Sequence, residues 1–298
     1  MGVRSTDTDV RPADGAPPVH VPAHGARADT ALAARPGDRL VVENFSGRVL
    51  VEGHASQRVE LRAGPDRDTD LGLARRGDRI VVTPAERRPA DRDVRIGIRV
   101  PRWMPVSVQG RDLDVEVAGV EGRVEVRNVE GDVVLRDVRG GARVSSVDGG
   151  IRVRNARGDL LLRSRGDDVT VDGASGEVVD AESGDGDVRL QDVDALRVRA
   201  ETLDGDVLFD GTPRSGGRYR VAVHDGDARV RIPRDAGLLV RVATFDGEFL
   251  SDFPVTVERL RAGGTFEFQL GDGSGELEIE VFDGEIRLEE RTAPRGFD

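Results

Sequence analysis

From Arg39 onward, apolar and polar residues alternate in short runs, and each run ends at glycine or an Asp-Gly pair. The paired apolar positions are Val124/Val126, Val133/Leu135, Ile151/Val153, Leu160/Leu162, Val169/Val171, Val188/Leu190, Leu196/Val198, Val207/Phe209, Tyr219/Val221, Val230/Ile232, Leu277/Ile279 and Ile286/Leu288. Residues at i and i+2 lie on one face of a strand, and Arg, Asp, Glu, Ser and Thr dominate between them. Each run therefore predicts a strand of four to six residues with one buried face. Earlier strands are predicted at 40–42, 49–51, 59–61, 80–82 and 94–100, with a charged loop over 64–78 and a bend at Trp103 between Pro101 and Pro105.

The glycines keep a period. Gly122, Gly140, Gly158 and Gly176 fall 18 residues apart, and Gly131, Gly149, Gly166, Gly186, Gly205, Gly226 and Gly247 interleave half a period later, with Gly284 following after a longer gap. A propeller blade needs about 40 residues, and a meander needs no second glycine series. Coils that stack on their neighbours satisfy both observations. The predicted fold is all-β: a single-stranded β-solenoid (β-helix) with roughly 18–20 residues per coil, its N-terminal part forming a β cap or irregular first coils. The expected organisation is a flexible leader over 1–37, a solenoid over 38–292 (N-terminal coils or cap at 38–110, regular repeats at 111–292) and a tail over 293–298. One coil cannot offset its own chain entropy, so stability must come from the stack.

Composition narrows the function. The formal net charge is −12, which disfavours nucleic acid and anionic membrane as partners, since both are polyanions. All 44 basic residues are Arg. There is no Cys, so thiolate chemistry and disulfides are absent. No apolar run reaches the ~20 residues of a membrane helix, and the first 35 residues show no signal-peptide h-region. As written, the chain is expected in the cytoplasm.

Three features together carry a resemblance: the repeated Gly-Asp-Val of Gly131-Asp132-Val133, Gly186-Asp187-Val188 and Gly205-Asp206-Val207; the Val100-Pro101-Arg102 lead-in; and Gly271-Asp272-Gly273-Ser274-Gly275 ahead of Phe282-Asp283-Gly284-Glu285-Ile286. Residues 38–290 resemble the bacterial β-strand-repeat "putative adhesin" family of unknown function, a relative of the head-GIN domains. The resemblance implies a β-helical fold, often an exported or membrane-linked setting at the envelope, and no established activity.

Two candidate chemistries follow from stacking. Asp185, Asp187, Asp204, Asp206, Asp225, Asp227 and Asp246 flank the turn glycines; in a solenoid they would form carboxylate columns whose repulsion, about 1 kcal/mol per neighbour in water, a Ca²⁺ ion could relieve. Asp-Gly is also preferred turn chemistry, and that is the favoured reading. Arg163, Arg165, Arg197, Arg199, Arg218 and Arg220 would form an outward ladder able to grip acidic polymers, or pair with Asp and Glu of adjacent coils. No cofactor is implied. His20, His24, His54 and His224 are scattered, and no nucleophile or phosphate-loop motif occurs. The expected function is a non-catalytic scaffold or binding module contacting an unknown protein or polysaccharide at the surface or envelope, as a monomer or weak end-to-end oligomer. The alternatives are a self-assembling intracellular structural protein and, third, a carbohydrate-active β-helix enzyme.

Overall fold

The computed structural model describes residues 19–20, 30–44, 46–63, 71–84, 94–255 and 264–291. Every regular element among them is a β-strand. Two ladders run the length of the molecule. One passes through Asp112–Ala118, Val133–Arg136, Ile151–Arg157, the first halves of Val169–Glu182 and Val188–Asp204, then Val207–Gly211 and Ala228–Ile232. The other passes through Val106–Gln109, Val124–Arg127, Ala142–Ser145, Leu160–Arg163, the second halves of the same two long strands, then Arg218–Asp225. Pairing within this run is parallel throughout. Val133 lies opposite Ile151, 18 residues on; Val169 lies opposite Val188, 19 on; Val198 lies opposite Tyr219, 21 on.

Alternation decides what is inside. The apolar pairs named above are all buried except Leu196, which is half-buried, its neighbours Val198 and Ala200 taking the inward positions. Each buried Val, Leu or Ile is worth roughly 1.5–3 kcal/mol, and the aliphatic core is continuous from Ala34 to Leu288. At one corner a polar column closes the core. Asn128, Ser146, Ser164, Ser183 and Thr202 occupy matching positions and are at most 6% exposed. Asn128 donates to Leu113 O, Ser164 to Gly149 O, Ser183 to Asp167 O and Thr202 to Gly186 O, tying the turn's carbonyls. The turn glycines pack backbone on backbone. A Cβ at Gly205 (φ +140°) would meet the carbonyl of Gly186, and one at Gly226 (φ +134°) that of Gly205, so neither position accepts a side chain.

Rungs do not stack in sequence order at either end. At the C-terminal end, Gly275–Asp283 inserts between Arg218–Asp225 and Leu238–Asp246, and Ile286–Glu290 inserts between Ala228–Ile232 and Phe249–Ser251. Strand Thr265–Leu270 runs antiparallel on the far side of Leu238–Asp246, so the turn at 271–274 straddles that strand. At the N-terminal end, Ser46–His54 inserts between Val94–Pro101 and Asp112–Ala118, and Arg39–Glu43 between Arg79–Pro84 and Val106–Gln109. There Arg58–Ala63 runs antiparallel on the far side of Val94–Pro101, again giving a straddling hairpin. Its turn is held by His54, which takes the Ser56 N–H at Nδ1 and donates from Nε2 to Arg58 O.

Charge accounts for the C-terminal order. Stacked consecutively, Leu238–Asp246 would place Arg241 against Arg220. The inserted strand puts Glu278 between them, opposite both. Arg220 binds Glu278 and Glu280 at 2.5 Å each, while Arg241 binds Glu267 at 2.9 Å on its other side.

These features correct the expectation of consecutively stacked coils. Glu276, Glu278 and Glu280 belong to an interior rung facing arginines, where sequence order would have made them an acidic terminus. Part of the predicted loop, Leu71–Arg76, is a strand antiparallel to Arg79–Pro84. Thr30–Ala33 and Val19–His20, inside the stretch expected to be a leader without strands, pair with Arg58–Ala63 and Leu71–Arg76. Residues 34–37 of the expected leader are also described, with Ala34 in the core, while the remaining leader residues, with His24, and the tail 293–298 lie outside the described residues.

Candidate binding edge

The Asp-Gly residues singled out in the sequence divide into two columns with different work. Asp187, Asp206 and Asp227 follow the glycine. Asp187 Oδ1 accepts the Asp206 N–H at 2.8 Å, Asp206 Oδ1 the Asp227 N–H at 2.9 Å, and Asp227 Oδ1 the Glu285 N–H at 2.9 Å. Each carboxylate thus holds the backbone of the next rung. Gly150 breaks this chain, and there Asp168 N turns to the Asp167 carboxylate at 2.7 Å instead. Asp185, Asp204, Asp225 and Asp246 precede the glycine and are exposed. Asp204, Asp225, Asp283 and Asp246 stand in register on four successive rungs. Among the described residues no three of His, Cys, Asp and Glu converge as a metal-holding group.

Arg163, Arg197, Arg199, Arg218 and Arg220 share the outer face of the second ladder, whereas Arg165 lies in the turn after Leu160–Arg163 and lines the groove described below. Arg199 lies opposite Arg220, and Arg197 opposite Arg218. Glu201 bridges the first pair, at 2.6 Å from Arg199 and 3.2 Å from Arg220. The Arg199 hydrogen bond, reinforced by Arg220, lowers the Glu201 pKa against the opposing effect of burial. Arg163 reaches Glu182 at 3.2 Å and Arg218 reaches Glu276 at 3.6 Å. Arg165 and Arg197 make no ion pair among the described residues. Most of this ladder is therefore an interleaved salt-bridge surface.

Beside the exposed Asp column runs a feature the sequence reading did not select. Leu203, His224, Phe282 and Phe245 occupy one register on four successive rungs. All point outward because the inward neighbours Thr202, Val223, Val281 and Thr244 take the other face. Leu203 and Phe245 are each 64% exposed and Phe282 is 48% exposed. The rings stack: His224 on Phe282 with centroids 4.8 Å apart, and Phe282 on Phe245 at 4.8 Å with planes 1° apart. In a chain with 4% aromatic residues this is a concentrated apolar ridge. A visible signal was the recurrence Leu-Asp-Gly, His-Asp-Gly, Phe-Asp-Gly, Phe-Asp-Gly at 203, 224, 245 and 282, which turn chemistry alone does not require at its first position.

Between this ridge and the outer face lies a groove of about 650 Å³. Ser183, Thr202, Val223 and Val281 line its base, Glu182, Glu201 and Glu280 one wall, and Leu203, His224, Phe282 and Phe245 the other. Small residues, Gly184, Ala222, Ala243 and Gly264, keep it open. It crosses seven rungs, a length of roughly 29 Å at ~4.8 Å per rung.

Residues 158–289 match the Toastrack family DUF4097, a segment that includes the whole of this edge. No curated protein matches the sequence. Among solved structures, a "putative adhesin" from Parabacteroides merdae ATCC 43184 aligns at 9% identity over 90% of this chain and 98% of its own, with a TM-score of 0.46. A "putative adhesin" from Parabacteroides distasonis ATCC 8503 aligns at 9% identity over 90% and 98%, TM-score 0.40. Another, from Bacteroides fragilis NCTC 9343, aligns at 12% identity over 88% and 96%, TM-score 0.39.

Proposed function

We propose that the chain is a non-catalytic binding module: a β-solenoid scaffold of 18- to 21-residue coils that presents the ridge and groove at 203–282 to an extended partner at the cell surface or envelope. The observation that carries this reading is the stacked, solvent-facing run of Leu203, His224, Phe282 and Phe245 beside a column of exposed carboxylates. Exposed apolar area concentrated in one stripe and rimmed by polar residues marks a contact surface. The parallel ladders hold it rigid, so little ordering entropy opposes binding. Each of the groove's three glutamates is engaged by arginine, Glu182 by Arg163, Glu201 by Arg199 and Glu280 by Arg220. Glu201 is kept ionised by Arg199 and Arg220 and is a poor proton donor, and Glu280 is neutralised by Arg220.

The test compares the protein with a Leu203→Ser/Phe245→Ser/Phe282→Ser variant on paired glycan and peptide arrays. All three side chains are exposed, so the variant keeps its fold, checked by an unchanged circular dichroism spectrum and melting temperature. Ligands lost by the variant support the reading; identical array profiles overturn it.

A further inference from the structure

We infer that the occupant of this edge is an extended protein segment carrying Arg or Lys at alternate positions, which rests on the edge being the binding surface. Three observations select that chemistry. The first is charge. Asp204, Asp225, Asp283 and Asp246 are exposed, stand on consecutive rungs, and have no ion-pair partner among the described residues. This distinguishes them from the neighbouring acids: Asp187, Asp206 and Asp227 hold backbone N–H groups, and Glu201, Glu278 and Glu280 hold arginines. An anionic ligand is repelled from such a column, and a cationic one is drawn to it.

The second observation is how the rings are presented. Phe282 is covered on one face by His224 and on the other by Phe245. Its ring faces are therefore closed to a sugar, which packs its C–H face flat on an open aromatic platform. At its centre the ridge offers the Phe282 ring edge, and at one end the Leu203 methyl groups. The methylene stems of Arg and Lys fit such a strip while their charged ends reach past it, and the adjacent Asp column is where those ends arrive.

The third observation is spacing. Four carboxylates on successive rungs span roughly 14 Å. An extended chain advances ~3.3 Å per residue and shows alternate side chains on one side, so residues i, i+2 and i+4 span about 13 Å. Three basic residues at alternate positions match the column's length. The whole groove, at roughly 29 Å, accommodates about nine extended residues.

The experiment uses the full chain and three labelled probes in fluorescence anisotropy: a nine-residue peptide with Arg alternating with Ser, the same peptide with Glu in place of Arg, and a neutral β-linked glucose oligosaccharide. The Arg peptide is expected to bind at least tenfold more tightly than either other probe and to weaken between 50 and 200 mM salt. The Asp204→Asn/Asp225→Asn/Asp246→Asn/Asp283→Asn variant, which retains side chains suited to the turns, should lose at least tenfold. A control with Asp172→Asn and Glu177→Gln, away from the edge, should bind normally. Equal binding of the Arg peptide to the protein and to the Asn variant shows only attraction to net negative charge, and overturns the inference. Edge-dependent binding of the sugar or the Glu peptide in its place overturns the inference while leaving the edge as the binding surface. Loss of every edge-dependent ligand, on the arrays as well, removes both.

Discussion

The order of rungs at the C-terminal end can be read directly by cross-linking, because the chain has no cysteine of its own. Ala222 lies in register with Glu280, and Glu280 in register with Ala243. Adjacent in-register strands are ~4.8 Å apart and next-but-one strands ~9.6 Å. A disulfide needs a Cα separation of about 4.4–6.8 Å, so only directly adjacent positions qualify. The Ala222→Cys/Glu280→Cys variant should oxidise readily, and the Ala222→Cys/Ala243→Cys variant should stay reduced in the monomer. Consecutive stacking predicts the reverse. The bond also closes a loop of 59 residues, counting from 222 to 280 inclusive; the chain-entropy relation puts the gain at about 4 kcal/mol. Less is expected in practice, because Glu280 no longer pairs with Arg220. Thiol titration before and after mild oxidation, peptide mapping, and urea melts with and without reductant supply the readouts. Fast cross-linking of 222 to 243 with none of 222 to 280 would refute the inserted rung and the charge argument built on it.

Two further outcomes follow. Glu278→Arg sets a third cation between Arg220 and Arg241; two new like-charge neighbours at about 1 kcal/mol each in water, plus an ion pair worth 0–1 kcal/mol, predict a loss of about 2–3 kcal/mol in urea melts. Hydrogen exchange should accelerate at 238–246 well before 133–153, and Glu276→Arg, beside the weaker 3.6 Å contact with Arg218, should cost less. In acid, Glu201 and Asp194 act together: their pKa values are lowered by hydrogen bonds from Arg199 and from Arg214 respectively. Their stabilisation is fully present above the unfolded carboxylate values near 4 and is lost as pH falls through the lower folded values. Melting temperature measured from pH 7 to 3 should drop below about pH 4, and Glu201→Gln should shallow that decline.

Much of the fold was legible because burial and backbone approach write themselves into composition. Val133/Leu135 and Ile151/Val153 alternate because one strand face meets the core. Gly131, Gly149, Gly205 and Gly226 recur because a rung's backbone occupies the space a Cβ needs. What periodicity does not carry is an address. Every rung offers a similar pair of aliphatic side chains, so the inward face of Gly275–Asp283 would fit between almost any two neighbours. Its place is selected by outward residues far away in sequence, Arg220 and Arg241 against Glu278, and such complementarity is invisible to a search for a repeat. The strands Leu71–Arg76 and Thr30–Ala33 escaped for a related reason: they pair antiparallel at the N-terminal end and carry little of the repeat's pattern.

The candidate edge depends on the same rearrangement. In consecutive order His224 would neighbour Phe245, and Phe282 would sit on an outermost rung beside no second phenylalanine but Phe245 alone. Insertion of Gly275–Asp283 places Phe282 between the two, closing both its faces, and places Asp283 between Asp225 and Asp246. One topological choice therefore does two things: it separates Arg220 from Arg241 on the outer face and completes an unbroken aromatic run with its carboxylate column at the corner. Turn chemistry explains Asp-Gly at these positions but not the bulky apolar residue ahead of it. Folding alone would be served as well by a polar side chain at 203, 245 and 282, since all three stand in solvent. Under the proposed function, their place along one edge serves contact with something outside the chain.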